Sequence, residues 1–134
     1  MQRRRVPKSL FDGGKSISQI INGSVSTKED IENLCRKLNL DVTIDWIDNF
    51  DPMITNQILN IDADHIGGTH WVAIYDNDWY FDPLGLPVAR DDLNYLNYTF
   101  LPIQNFQHGG CGLYCCLYLH YANQDDIDGF YSLF

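Results

Sequence analysis

From Leu113 to Ala122 the chain is apolar or aromatic at every position except His120, and a helix of that composition has no face to give to water. Such a helix must lie at the centre of the fold, with other elements packed around it. Immediately before it stand Gly109-Gly110-Cys111-Gly112, which place a cysteine at the helix's first turn. A helix N-terminus carries unpaired N–H groups and partial positive charge, so a thiol there is biased toward the nucleophilic thiolate. The glycines ahead of it permit a sharp turn of the backbone.

The rest of the composition narrows what can surround that helix. The chain has 134 residues, 45% of them apolar and 13% aromatic, which suits one globular core. The reading is a single domain over residues 16–134 behind a flexible basic arm, 1–15. With 18 acidic and 9 basic residues the net charge is −9, which argues against a surface built to hold nucleic acid or anionic membrane. The local exception is Arg3-Arg4-Arg5, with Lys8 and Lys15 nearby, where a weak contact with a phosphate backbone stays open beside the solvated-tail reading. The four cysteines, 35, 111, 115 and 116, include an adjacent pair, a poor basis for a disulfide framework. No secretory signal and no apolar run of spanning length is seen, so the expectation is a monomer with free thiols inside the cell and no membrane partner.

Along the chain, Ser16 to Asn22 reads as a short helix. Ser26-Thr27-Lys28-Glu29 reads as a capping box opening a second helix, whose Ile31, Leu34, Cys35 and Leu38 form one buried face. Val42, Ile44 and Trp46 alternate with polar residues as in a half-buried strand, and Asp48 to Asn56 reads as loop. Ile58 to Ile61 and Thr69 to Tyr75 read as strands. Asp76-Asn77-Asp78 turns the second of these into Trp79 to Asp82 as a hairpin. Asp91 to Asn97 reads as a short helix and Tyr98 to Ile103 as a further strand. The order points to an α+β fold, a mostly antiparallel sheet packed on the cysteine helix.

A cysteine nucleophile needs a base, a group that orients the base, and donors for the developing oxyanion. His70, in Gly67-Gly68-Thr69-His70-Trp71, opens the best strand, and Asp82, in Tyr80-Phe81-Asp82-Pro83-Leu84-Gly85, closes its hairpin partner, so the two are expected to face each other across the ladder. Gln104 stands seven residues before Cys111, close enough for a loop to return its amide to the thiol, and Gln107 is a rival for the same role. Gly68 and Gly110 allow close approach of a substrate, and Trp71 is either core packing, a cover over the His70 ring, or both. Cys35, Cys115 and Cys116 read as packing. Two other motifs are weak: Gly13-Gly14-Lys15-Ser16 lacks the first glycine and preceding strand of a phosphate loop, and His108, Cys111, Cys115 and His120 lack paired zinc-ligand spacing.

The order His, Asp, Gln, Cys resembles that of the adenovirus-type (adenain) and ubiquitin-like-protein-specific cysteine proteases. Gly-Gly-Thr-His-Trp-Val-Ala at 67–73 is similar to the family's histidine strand, Tyr-Phe-Asp-Pro-Leu-Gly at 80–85 to its acidic motif, and Cys-Gly-Leu-Tyr-Cys-Cys-Leu-Tyr-Leu-His at 111–120 to the nucleophile helix of the adenovirus enzyme. The resemblance covers roughly residues 55–120 and implies a permuted papain-like fold. It implies that Cys111 attacks, His70 activates it, Asp82 orients His70 and Gln104 helps bind the oxyanion. It further implies a cysteine endopeptidase without a cofactor or metal, cutting viral capsid or core precursors near glycines during virion maturation. A compact adenovirus-like or virophage-type element fits, with the enzyme in host cytoplasm, nucleus or viral factory and packaged in the virion. Two alternatives stand beside this: a ubiquitin-like-modifier isopeptidase and a non-catalytic binding module of the same fold. Phe11-Asp12-Gly13-Gly14 is a candidate internal cleavage site that would free the basic arm.

Overall fold

In a computed structural model of the chain, residues 27–61, 70–98, 102–103 and 111–133 are described, with the side chain of residue 111 outside that set. Helix α1 is Lys28–Lys37. Strands follow at β1 (Thr43–Trp46), β2 (Asn56–Asn60), β3 (Trp71–Tyr75), β4 (Trp79–Phe81) and β5 (Asn97–Tyr98), and then helices α2 (Cys111–Ala122) and α3 (Ile127–Tyr131). Short 3-10 turns lie at Ile47–Asn49 and Asp91–Leu93.

The five strands form one sheet in sequence order, β1-β2-β3-β4-β5. β2, β3 and β4 pair antiparallel, while β1 runs parallel to β2 and β5 parallel to β4. The architecture is therefore α+β with a mixed sheet, not the mostly antiparallel one expected. The segments between β1 and β2 and between β4 and β5 each carry the chain back, so that the next strand starts from the same end and pairs parallel.

The pleat divides the sheet's side chains between two cores. Ile58, Trp71, Ala73 and Phe81 pack with α1, α2 and α3. Leu59, Val72, Ile74 and Tyr80 pack on the other face with Ile47, Leu93 and Leu96 from the turns. Because both faces are covered, β2 is buried at every position and β3 at all but its last. The polar members of β2 are accommodated individually: Gln57 accepts from the Asp51 N–H at 3.1 Å and donates to the Asp51 carbonyl at 2.9 Å.

Helix α2 is buried from Gly112 to Leu119, as its composition requires. Its aromatic side is organised around Phe81, which stacks on Tyr118 at 4.4 Å, while Phe130 of α3 meets both rings edge-on at 5.1 and 5.4 Å. Asp126 caps α3 by accepting from the Gly129 N–H at 3.0 Å. Gly129 sits so close to this cap that a Cβ there would lie 2.1 Å from Asp126 Oδ2.

Helix α1 presents Ile31, Leu34 and Cys35 to α2, the face read from the sequence. Its capping box is shifted by one residue from Ser26/Glu29. Thr27 Oγ1 accepts from the Asp30 N–H at 3.1 Å and Asp30 Oδ2 accepts from the Thr27 N–H at 3.0 Å. At the other end, Asn39 adopts a φ of 58° while its N–H donates to Arg36 and that of Leu40 to Cys35, a Schellman closure.

The β3–β4 hairpin turns at Asp76 and Asn77, both with positive φ that Asp and Asn tolerate well. Three other expectations change. Trp46 is 53% exposed, because β1 is the outermost strand and no described element lies over the indole. The expected helix over 91–97 is only the Asp91–Leu93 turn followed by β5. The expected strand over 98–103 reduces to the Asn97–Tyr98 pairing, with 102–103 outside any strand and 99–101 outside the described residues.

Candidate active site

His70 stands one residue before β3, and its carbonyl accepts from the Ile61 N–H at 3.0 Å, so its backbone is held by β2. Asp82 stands one residue after β4. The β3–β4 ladder ends at the Ala73–Phe81 pair, so His70 before β3 and Asp82 after β4 stand at the same rim of the sheet. The two side chains meet there, as the hairpin reading expects, just beyond the last paired residues of the ladder. Their contact is direct: His70 Nε2 lies 2.7 Å from Asp82 Oδ1, with each residue only 4% exposed. With Asp82 Oδ1 as the acceptor, His70 Nε2 is the donor, and in that tautomer proton exchange with a third group would pass through Nδ1.

Asp82 is held by a turn that the sequence reading did not assign to the site. Its Oδ1 also accepts from the Leu84 N–H at 2.8 Å, and its carbonyl accepts from the Gly85 N–H at 2.9 Å. Gly85 has a φ of 68°, a conformation that costs glycine little. The next carbonyl, that of Pro83, accepts from the Ile103 N–H at 2.9 Å, which ties the residue before Gln104 to the acid's turn. The signal was present in Asp82-Pro83-Leu84-Gly85, an Asp side chain able to bond a backbone N–H two residues on. Asp82 Oδ2 is buried and accepts no hydrogen bond among the described residues. Tyr80, two residues before Asp82, has its hydroxyl's pKa pushed well above the ordinary value by burial and by the Asp82 charge, and it remains neutral.

Two contacts fix how α2 lies on the sheet. Cys115 Sγ is 3.5 Å from the Trp71 carbonyl, and Asn123 Nδ2 donates to Asn56 Oδ1 at 2.8 Å. Asn56 is the register partner of Tyr75, so α2 runs in the same direction as β3. The spacings agree: eight helical residues rise about 12 Å, and the four residues from Trp71 to Tyr75 span about 13 Å. Cys111 lies one turn before Cys115, which brings the helix N-terminus to the end of β3 where His70 stands.

Trp71 is 6% exposed and belongs to the core on the helix side of the sheet, leaving little of its surface to meet a substrate. Cys35, Cys115 and Cys116 are buried in the core cluster, in the packing role read for them. Gly68, Gln104, Gln107, His108, Gly110, the Arg3-Arg4-Arg5 arm, the helix over 16–22 and the motifs at 11–16 lie outside the described residues. Among the described residues there is no group of three or more metal-ligating side chains, and no helix is long and apolar enough to cross a membrane. No protein-family model, no curated protein and no solved structure matches the chain.

Proposed function

We propose that the chain is a thiol endopeptidase with Cys111 as nucleophile, His70 as its base, Asp82 as the group that orients His70 and Gln104 as an oxyanion donor. The observation that carries this reading is the buried His70–Asp82 contact at 2.7 Å, at the end of the sheet toward which the N-terminus of α2 points. A buried ionisable pair is costly for a fold to keep, and its position beside a cysteine-bearing helix start is where such a pair has chemistry to do.

In this mechanism Asp82 fixes the imidazole with Nε2 protonated and Nδ1 directed to the thiol. Cys111 passes its proton to Nδ1, the thiolate adds to the scissile carbonyl, and the tetrahedral oxyanion is met by the Cys111 N–H and the Gln104 amide. The imidazolium then protonates the leaving amine, and water hydrolyses the acyl-enzyme with His70 as base. The fold suited to this order is the permuted papain-like one. Gly68 and Gly110 are the substrate-binding glycines of this reading, and cleavage beside small residues, glycine first, is the preference that the resemblance implies. Trp71 contributes by packing in the core on the helix side of the sheet, with a substrate contact limited to its small exposed surface. The natural substrate in this reading is a viral capsid or core precursor inside an infected cell or virion.

The test is cleavage of Gly-Gly-containing precursor-type peptides, offered beside ubiquitin-like-modifier conjugates. Peptide cleavage that disappears in Cys111→Ala supports the reading. Activity confined to the conjugates replaces it with an isopeptidase, and inertness toward both in a folded protein leaves the binding module.

A further inference from the structure

The helix that starts at Cys111 carries a second sulfur feature, which the proposed chemistry does not use. Cys116 is fully buried on α2, and its Sγ lies 3.2 Å from Sγ of Cys35 on α1, itself 2% exposed. The two residues are 81 positions apart, so their meeting is a property of the fold and not of local chain geometry. Cys116 Sγ also lies 3.7 Å from the Ile31 carbonyl, so a consistent chain of donors runs from Cys35 S–H to Cys116 and from Cys116 S–H to Ile31. Two sulfurs at this separation need to approach by only about 1 Å to reach bonding distance.

We infer that Cys35 and Cys116 form a disulfide under two-electron oxidation, a cross-link that joins α1 to the helix bearing Cys111. With a peroxide as oxidant, the Cys35 sulfur attacks a peroxide oxygen, the O–O bond breaks and water leaves, giving a sulfenic acid. The Cys116 sulfur then attacks that sulfur, the S–O bond breaks, and the hydroxide leaves as a second water with the Cys116 proton. A disulfide oxidant such as oxidised glutathione gives the same product by two exchanges, with the two thiol protons ending on the released glutathione.

Burial sets the rate of this reaction rather than forbidding it. Burial and the neighbouring Cys35 thiol push the Cys116 thiol's pKa well up, so the closed protein reacts slowly. Access comes through opening of α1, whose outer face of Lys28, Glu29, Glu32, Asn33, Arg36 and Lys37 is exposed. Cys115 is turned elsewhere, its Sγ lying against the Trp71 carbonyl on the sheet side. The inference therefore selects Cys116, not its neighbour, as the partner of Cys35.

The test treats full-length protein and its Cys111→Ser variant with hydrogen peroxide or oxidised glutathione, blocks remaining thiols after denaturation, and maps the peptides without reduction. The expected result is the loss of two hydrogen atoms per chain and a Cys35–Cys116 linked peptide. It should form in both proteins and be absent in Cys35→Ser. The cross-linked chain should unfold at a temperature higher by on the order of 10 °C than the reduced chain. Cys35 and Cys116 both recovered as blocked thiols after prolonged oxidation, or linkage of Cys35 to Cys115 or Cys111 instead, would overturn the inference. Because the mapping is done on protein with and without Cys111, its outcome is independent of the proposed protease activity.

Discussion

The two ends of the sheet each hold a polar side-chain pair, one part-buried and one buried, and the pairs are built from different chemistry. At one end Asn56 and Asn123 exchange amide contacts at 2.8 and 3.4 Å, with Asn56 also donating to the Asp41 carbonyl and Asn123 to that of Leu119. These neutral groups anchor the C-terminal end of α2 and carry no charge to manage. At the other end the pair is His70 and Asp82, both ionisable, with Asp82 Oδ2 accepting nothing among the described residues. An amide pair would hold that end as well, at lower desolvation cost. The contrast sets a pair suited to docking a helix beside a pair that the proposed function uses for proton chemistry.

The contrast can be broken in either direction. The largest expected effect is at the ionisable end. His70→Ala should reduce peptide cleavage by at least ~10³-fold, read as kcat/KM on a folded protein. Asp82→Ala should cost on the order of 10²-fold or more, since the imidazole then loses its orienting partner. If either variant keeps wild-type cleavage, the pair is structural like its amide counterpart.

At the amide end the loss falls on stability and not on activity. Asn56→Asp places a carboxylate against the Asp41 carbonyl, 3.2 Å away, where an amide N–H now donates. It should lower stability by about 2 kcal/mol at neutral pH, and less in acid where the carboxyl regains a proton. Denaturant titration at two pH values reads this, and kcat on the surviving folded fraction should stay unchanged.

Smaller effects lie further from both pairs. Gly129→Ala drives a Cβ into Asp126 and should cost about 1 kcal/mol or more through loss of the α3 cap, with the aromatic cluster loosened around Phe130. Near-ultraviolet circular dichroism and thermal melts follow it. The smallest is His120, half-buried beside Gln124, whose pKa is lowered by burial. Its folded pKa lies below the unfolded value of about 6.5, so the folded state binds fewer protons. Its contribution is intact above that value and is lost as pH falls through the folded pKa. His120→Gln should flatten the acid limb of the stability curve between those two points.

Much of this contrast was readable in the residues themselves. The all-apolar stretch after Cys111 had to be a central helix, and the periodic face of Ile31, Leu34 and Cys35 had to meet it. His70 and Asp82 were placed at the ends of hairpin strands by the alternation and the Asp-Asn turn, and at those ends the two side chains meet. The parallel returns to β2 and β5 were not legible, because they depend on loops whose residues give no periodic signal. The support for Asp82 was legible in part: Asp82-Pro83-Leu84-Gly85 allows the side chain to take the Leu84 N–H, whereas the tie from Ile103 to Pro83 is a backbone bond that leaves no mark in the sequence. The Asn56–Asn123 lock joins residues 67 positions apart through neutral amides, which sequence treats as ordinary loop composition.

The central claim is that one of the four cysteines is a nucleophile armed by His70. The most direct measurement is the rate and site of labelling by a thiol-directed peptidyl inhibitor at neutral pH, in the wild type and in His70→Ala, read by peptide mass. The account predicts stoichiometric labelling at Cys111, none at the buried Cys35, Cys115 and Cys116, and a rate that collapses without His70. Labelling spread among the cysteines, or a Cys111 rate indifferent to His70, would contradict it.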